Sequence, residues 1–139
     1  MSTTSTTSND IVYVQASQSS ITASASIGAG EAGSDQNVAT DALVATLPKI
    51  EAGNLGMTFL FRNTGADGNN IVTLSPNAAD GIHGTIANAA ADSVASGTVD
   101  KDFVNTKATA NKGDYVILRA VALTEWYIIG GVGIWASEA

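Results

Sequence analysis

His83 is the only histidine in the chain and stands in Asp80-Gly-Ile-His-Gly84. A Ser-His-Asp triad or a histidine-containing metal site would have to be built on it, because imidazole is the side chain that exchanges a proton near neutral pH. Its flanking glycines predict a loop or turn, and neither an activated nucleophile nor an acid partner can be nominated beside it, so His83 reads as structural. Asp67-Gly-Asn-Asn70 carries the Asp-x-Asn spacing of calcium loops, in which oxygens at alternate positions converge on one ion. The glutamate and further oxygens of an EF-hand do not follow at the required distances, and a plain hairpin turn explains the same residues. Asp100 and Asp102 can face one side of a strand and share a cation, although a solvated acidic patch is the simpler account. Glu125, beside Trp126, is the one glutamate in an aromatic-rich stretch, where a glycosidase carboxylate would be expected; it equally suits the polar end of a turn. Gly28-Ala-Gly30 and Gly130-Gly-Val-Gly133 fail as phosphate loops, since neither opens a helix nor carries a Lys-Ser/Thr pair. The expectation is a chain with no catalytic residue, no cofactor and no metal site.

The elements that would position these residues are strands. Ser2 to Ser8 is an unbroken Ser/Thr run that buries too little apolar surface to offset its ordering entropy, and it is expected to be a disordered arm. Ile11-Val-Tyr-Val14 follows as a β-prone patch able to pair with a sheet edge of this chain or of a neighbour; Ile11, Val12, Tyr13 and Val14 are the partner-binding candidates. Ile21 to Ile27 alternates and reads as one half-buried strand, and the glycines of Gly28 to Asp35 predict a flexible loop. Leu43 to Leu47 reads as a strand ending at Pro48. Met57 to Arg62 and Ile71 to Ser75 are expected to form a hairpin across Asn63 to Asn70. Ile86 to Val94 is either a short helix or a long surface loop. Phe103-Val104, a polar linker to Gly113 and two terminal strands joined through Ala122 to Glu125 complete the chain. Tyr115-Val-Ile-Leu118 contains no polar residue, so both faces of that strand must be covered, by a sandwich core or by another subunit.

A length of 139 residues fits one domain, divided here into a polar arm over residues 1–20 and a single β-domain over residues 21–139. The hydrophobic content of 45% includes much alanine, so the heavy core is expected to be Phe59, Phe61, Phe103, Tyr115, Trp126, Tyr127 and Trp135. A core this small is often supplemented by oligomerisation. Six basic against thirteen acidic residues give a net charge of −7, with no Lys or Arg before Lys49. That pattern speaks against nucleic acid, which needs clustered cations, and against a secretory or transit signal. No apolar run approaches the roughly eighteen residues a membrane helix requires, and the expectation is a soluble chain made in a cytoplasm with no membrane partner. Without cysteine there is neither a disulfide framework nor a thiolate site.

Three segments give the chain a resemblance to small β-structured proteins of tailed-phage virions: Leu47-Pro48 with Gly56-Met-Thr-Phe59; Asn70 to Pro76 with Asp80 to Gly84; and Lys112 to Leu118 with Trp126 to Gly130. The similarity spans roughly residues 43–135. It implies a compact β-domain. Since strands outnumber helices along the chain, the expected fold class is all-β, an antiparallel, jelly-roll-like β-sandwich with a flexible N-terminal arm, although alternation fixes faces and leaves another sandwich or a small barrel open. The resemblance further implies a homotrimer on the outer capsid surface, with the major capsid protein as partner, and it carries over no catalytic residues. On this resemblance the chain is expected to be a non-enzymatic decoration or cement protein that stabilises the assembled head. The alternative is a receptor- or glycan-binding module of a head or tail fibre, in which Trp126 or Trp135 would stack on sugar rings unless both are core anchors.

Overall fold

The computed structural model describes residues 16–139, so the candidate contact residues Ile11, Val12, Tyr13 and Val14 lie outside the described residues. Among the described residues twelve strands follow one another: β1 (Gln18–Ile21), β2 (Ala25–Ser26), β3 (Asp35–Val38), β4 (Leu43–Thr46), β5 (Thr58–Asn63), β6 (Val72–Ser75), β7 (Gly81–Ile86), β8 (Ser93–Val99), β9 (Phe103–Asn105), β10 (Tyr115–Ala122), β11 (Glu125–Val132) and β12 (Trp135–Ser137). They form a seven-stranded sheet, ordered β1-β3-β5-β10-β11-β7-β8, packed on a five-stranded sheet ordered β12-β9-β6-β4-β2. The fold is the expected all-β sandwich, with one correction: both sheets are mixed rather than uniformly antiparallel.

The parallel pairs have a single origin. β1, β3 and β5 lie side by side in the first sheet, β2, β4 and β6 in the second, and every neighbour in these two stacks is parallel. The chain therefore winds as a coil, laying one strand in each sheet per turn. The second half is antiparallel for the most part. The β10–β11 hairpin slots between β5 and β7, β8 folds back on β7, and β9 and β12 extend the smaller sheet from β6.

The strand order corrects four expectations. Residues 57–75 are not a hairpin, because β5 and β6 belong to opposite sheets and residues 64–71 bridge them. The run Ile21 to Ile27 is broken in the same way: Ile21 ends β1 and Ile27 follows β2, both buried, while Thr22 to Ser26 between them are exposed. Alternation sets which side chains face inward but not whether the next strand returns to the same sheet. Ile86 to Val94 is neither helix nor long loop, since it ends β7, turns, and begins β8. Asp80 to Gly84, read as a loop, runs into β7; a Cβ at Gly81 would stand 2.5 Å from the Gly97 carbonyl oxygen, so close strand approach explains that glycine.

Inward-facing aromatics and aliphatics fill the space between the sheets. Phe59, Phe61, Val116, Leu118 and Trp126 come from the larger sheet and Val72, Leu74, Phe103 and Trp135 from the smaller, each at most 2% exposed. Phe59 packs on Phe61 and Trp126 at ring separations of 6.0 and 6.1 Å, and Phe103 stacks on Trp135 at 5.5 Å. Burying each such side chain contributes about 1.5–3 kcal/mol. Tyr115 and Tyr127, expected in this core, are only half-buried and alternate out of it. At one end a buried polar brace ties the sheets together. The Asn63 Nδ2 donates to the Asn105 Oδ1 at 2.7 Å, the Asn105 Nδ2 to the Asp114 Oδ2 at 3.1 Å, and the Asn70 Nδ2 to the Asn63 Oδ1 at 3.0 Å. A connected network of this kind fixes one arrangement of strands, because a lost member strands the others away from water.

Candidate interaction surface

The chemistry-bearing residues do not converge. The His83 ring lies on β7, stacked on Tyr127 of β11 at 5.3 Å and 18°, and it covers Gly97, where a Cβ would stand 2.4 Å from the ring. The Asp67 carboxylate accepts the Lys112 backbone N–H at 2.7 Å, whereas the Asn70 amide turns inward to Asn63 and to the Val38 carbonyl. The two thus point to different partners. Asp100 occupies a turn with φ of 59°, and the Asp102 backbone pairs with Glu138, so these acids do not share a strand face. Glu125 accepts the Tyr127 hydroxyl at 3.0 Å. Hydrogen bonding to that carboxylate, and repulsion by its charge, raise the Tyr127 pKa above its ordinary value. Trp126 and Trp135 are both core side chains, so neither offers a face to a sugar. Among the described residues no three His, Asp or Glu side chains form a metal-sized group, and no helix is long and apolar enough to cross a membrane.

What the strands do bring together is an apolar outer face. On β10, Val116, Leu118 and Ala120 point into the core, which leaves Tyr115, Ile117, Arg119 and Val121 on the opposite side. Register aligns Leu60, Ile117 and Gly130 in one row, Arg62, Tyr115 and Val132 in the next, and Thr58, Arg119 and Tyr127 in a third. A bulge opposite Ile117 and Leu118 adds Ile129 to this side. Ile129 is 46% exposed and Val132 51%.

Two arginines border the strip without covering it. The Arg62 guanidinium reaches back across β5, placing Nη1 3.3 Å from the Asp35 Oδ2 and 3.2 Å from the Asn37 Oδ1. The Arg119 Nε donates to the Thr58 Oγ1 at 2.9 Å. Each cation is held along the sheet, and Leu60, Tyr115, Ile117, Ile129 and Val132 remain between them. The sequence signal for this face was the uninterrupted Tyr115-Val-Ile-Leu118, whose second side needed a cover that the described residues supply only in part. Nothing in the sequence marked Ile129, because a bulge shifts the alternation by one residue.

A second ionic feature lies on the smaller sheet's side of the brace. Lys107 pairs with Asp41, and together with the Ile71 backbone N–H it holds the Asp41 carboxyl below its ordinary pKa. No protein-family model matches the chain, and no curated protein is similar to it.

Proposed function

We propose that the protein is a non-enzymatic structural protein of a tailed-phage virion, a capsid decoration or cement protein that binds the assembled head from outside and stabilises it. The carrying observation is the apolar strip on the central strands of the larger sheet, in which Ile129 and Val132 are exposed and Leu60, Tyr115 and Ile117 are half-buried. A contiguous apolar centre framed by arginines and amides has the anatomy of a protein interface, with a dry core and a polar rim. The resemblance of residues 43–135 to phage virion β-proteins supports the location on the head and the trimeric state.

The mechanism is mechanical. Each copy buries its strip against the major capsid protein or a sister copy, and the Ile11 to Val14 segment reaches a neighbouring subunit. Disassembly then has to re-expose apolar surface at many places at once, which raises its cost roughly in proportion to the number of copies. The test is co-sedimentation with heads of the phage whose genome encodes the chain. Saturable binding by the parent, lost in Ile117→Asp/Val132→Asp while circular dichroism stays unchanged, is the expected result. Equal binding by the doubly substituted chain, or no saturable binding by the parent, overturns the reading.

A further inference from the structure

Among the described residues, the coil formed by β1 to β6 has one end closed and one end open. On one side β5 and β6 continue into β10 and β9, while on the other β1 and β2 are the last strands of their sheets. The Ser17 carbonyl accepts the Asp35 N–H at 2.8 Å. By the two-residue repeat of a strand, the N–H and C=O groups of Gln18 and Ser20 therefore point to the outer edge, where no described strand meets them. Exposed edges in natural sheets are ordinarily blunted by lysine, proline or a bulge. From residue 16 to residue 34 the chain contains no Lys, Arg or Pro, and Glu31 is its single charge.

Two clefts open at this same end. One, of about 280 Å³, is bounded by Ser20, Ile21, Ala25, Ile27 and Gln36, and the other, of about 380 Å³, by Ser17, Gln18, Gly30 and Ser34. Gln36 is fully buried beneath the first, and its Oε1 has no hydrogen-bond partner although its Nε2 donates to the Ser34 Oγ at 2.7 Å. Among the described residues this end of the coil is thus unfinished in two respects, with a backbone edge that no strand meets and a buried polar group that has no partner.

We infer that the β1 edge is a strand-acceptor site, and that its occupant is the Ile11-Val-Tyr-Val14 segment of a second copy of this chain. The described chain starts at Ala16, at the mouth of the site, and fifteen residues precede it. Fully extended, the five residue steps from Ala16 back to Ile11 span about 17 Å, enough to lie along the edge of a second copy packed against this end of the coil. Return onto the chain's own β1 is disfavoured. Ser17 already runs alongside β3, leaving Gln15 and Ala16 as the whole turn, and a two-residue hairpin turn demands the positive φ that Gly or Asn supplies. Ile11 to Val14 is β-branched and aromatic and carries no charge, which suits addition to an edge lined by Ser, Ala and Ile. The contact joins copies to one another and is independent of whether the assembly sits on a capsid.

The absence of native cysteine makes the test direct. Full-length Val12→Cys and Ser20→Cys chains are mixed without capsids, oxidised and run on a non-reducing gel. Neighbouring strands lie about 5 Å apart, within disulfide reach. A heterodimer band specific to the mixture is expected, together with its loss when Ser20→Cys is replaced by Gln18→Cys/Ser20→Pro. Proline at position 20 deletes an outward N–H that β3 does not use, so Ser20→Pro in the otherwise parent chain is expected to sediment as a smaller species with an unchanged strand signal. Two results overturn the inference: no heterodimer in the mixture, or a bond formed only within one chain when Val12→Cys and Ser20→Cys are combined. The capsid co-sedimentation described above is scored separately, so failure of one reading leaves the other distinguishable.

Discussion

Leu118 and Ile117 are adjacent in sequence, and their alanine substitutions are expected to damage different properties of the protein. Leu118 is 0% exposed and faces Phe59 and its neighbours between the sheets. Leu118→Ala removes a fully buried isobutyl group and leaves a cavity that close-packed strands cannot collapse, a loss of about 3–5 kcal/mol. Ile117 stands on the outer face beside Leu60 and is only half-buried. A fully buried Ile side chain contributes about 1.5–3 kcal/mol, so the half covered within one subunit makes Ile117→Ala cost about 1 kcal/mol of subunit stability. Urea unfolding followed by tryptophan emission measures both, because Trp126 and Trp135 are buried and report loss of the core. Sedimentation of the same samples measures association. Leu118→Ala is expected to lower the unfolding midpoint sharply, and Ile117→Ala to lower it slightly while weakening assembly. Equal destabilisation by the two would show that Ile117 is not on an open face. Unchanged assembly of Ile117→Ala would remove the apolar strip from the interface.

Further outcomes follow from the brace and the ion pair. Asn105→Ala deletes donors to Asp114 and to the Ile134 carbonyl as well as the acceptor for Asn63, leaving buried polar groups unmatched; a loss of about 2–5 kcal/mol is expected in denaturant titration, and a loss under 1 kcal/mol would show that water replaces the amide. Gly133 has φ of 107°, and a Cβ there would stand 2.4 Å from the Asp114 Cγ, whereas Gly113, with φ of 100°, has open space. Gly133→Ala is therefore expected to unfold at markedly lower denaturant than Gly113→Ala, and equal midpoints would mean that backbone strain alone matters at both positions. Asp41 has a lowered folded-state pKa, so the stability it contributes is complete above the ordinary carboxylate range and is lost as pH falls through the folded value. Thermal unfolding of Asp41→Asn should lie below the parent at neutral pH and converge with it in acid, and a difference that persists unchanged in acid would rule out the ionic origin.

Legibility from sequence followed the physics of each segment. The terminal strands were readable because Tyr115 to Leu118 and Trp126 to Ile129 are dense in β-formers, and Thr124 lies in the short turn between them. β3 was not readable, because Asp-Gln-Asn-Val is a composition that strands usually avoid. It is a strand because Gln36 and Val38 face inward while Asp35 and Asn37 bind Gln18 and Arg62 outside. The mistaken hairpin over residues 57–75 has an equally local cause. Asn63 and Asn70 looked like turn formers, yet both amides turn into the interior, where the brace draws the chain across to the other sheet. The outer face was half legible, since an unbroken apolar strand demands a second cover but does not say which neighbouring strands complete the patch.

The insertion of β10 and β11 between β5 and β7 sets the order of synthesis against the order of closure. β5 leaves the ribosome long before β10 exists to pair with it, and β7 likewise waits for β11. Until then the larger sheet is two fragments with bare inner edges, and Phe59 lacks Trp126. Contacts between residues so distant in sequence slow folding, and unpaired edges on a waiting nascent chain invite aggregation. A ribosome stalled after Gly113 would hold a chain that has made most of its strands and can close neither half of the larger sheet. Yield in a host cell is thus expected to depend on how quickly the last stretch is translated, and on chaperones that shield β5 and β7 in the interval.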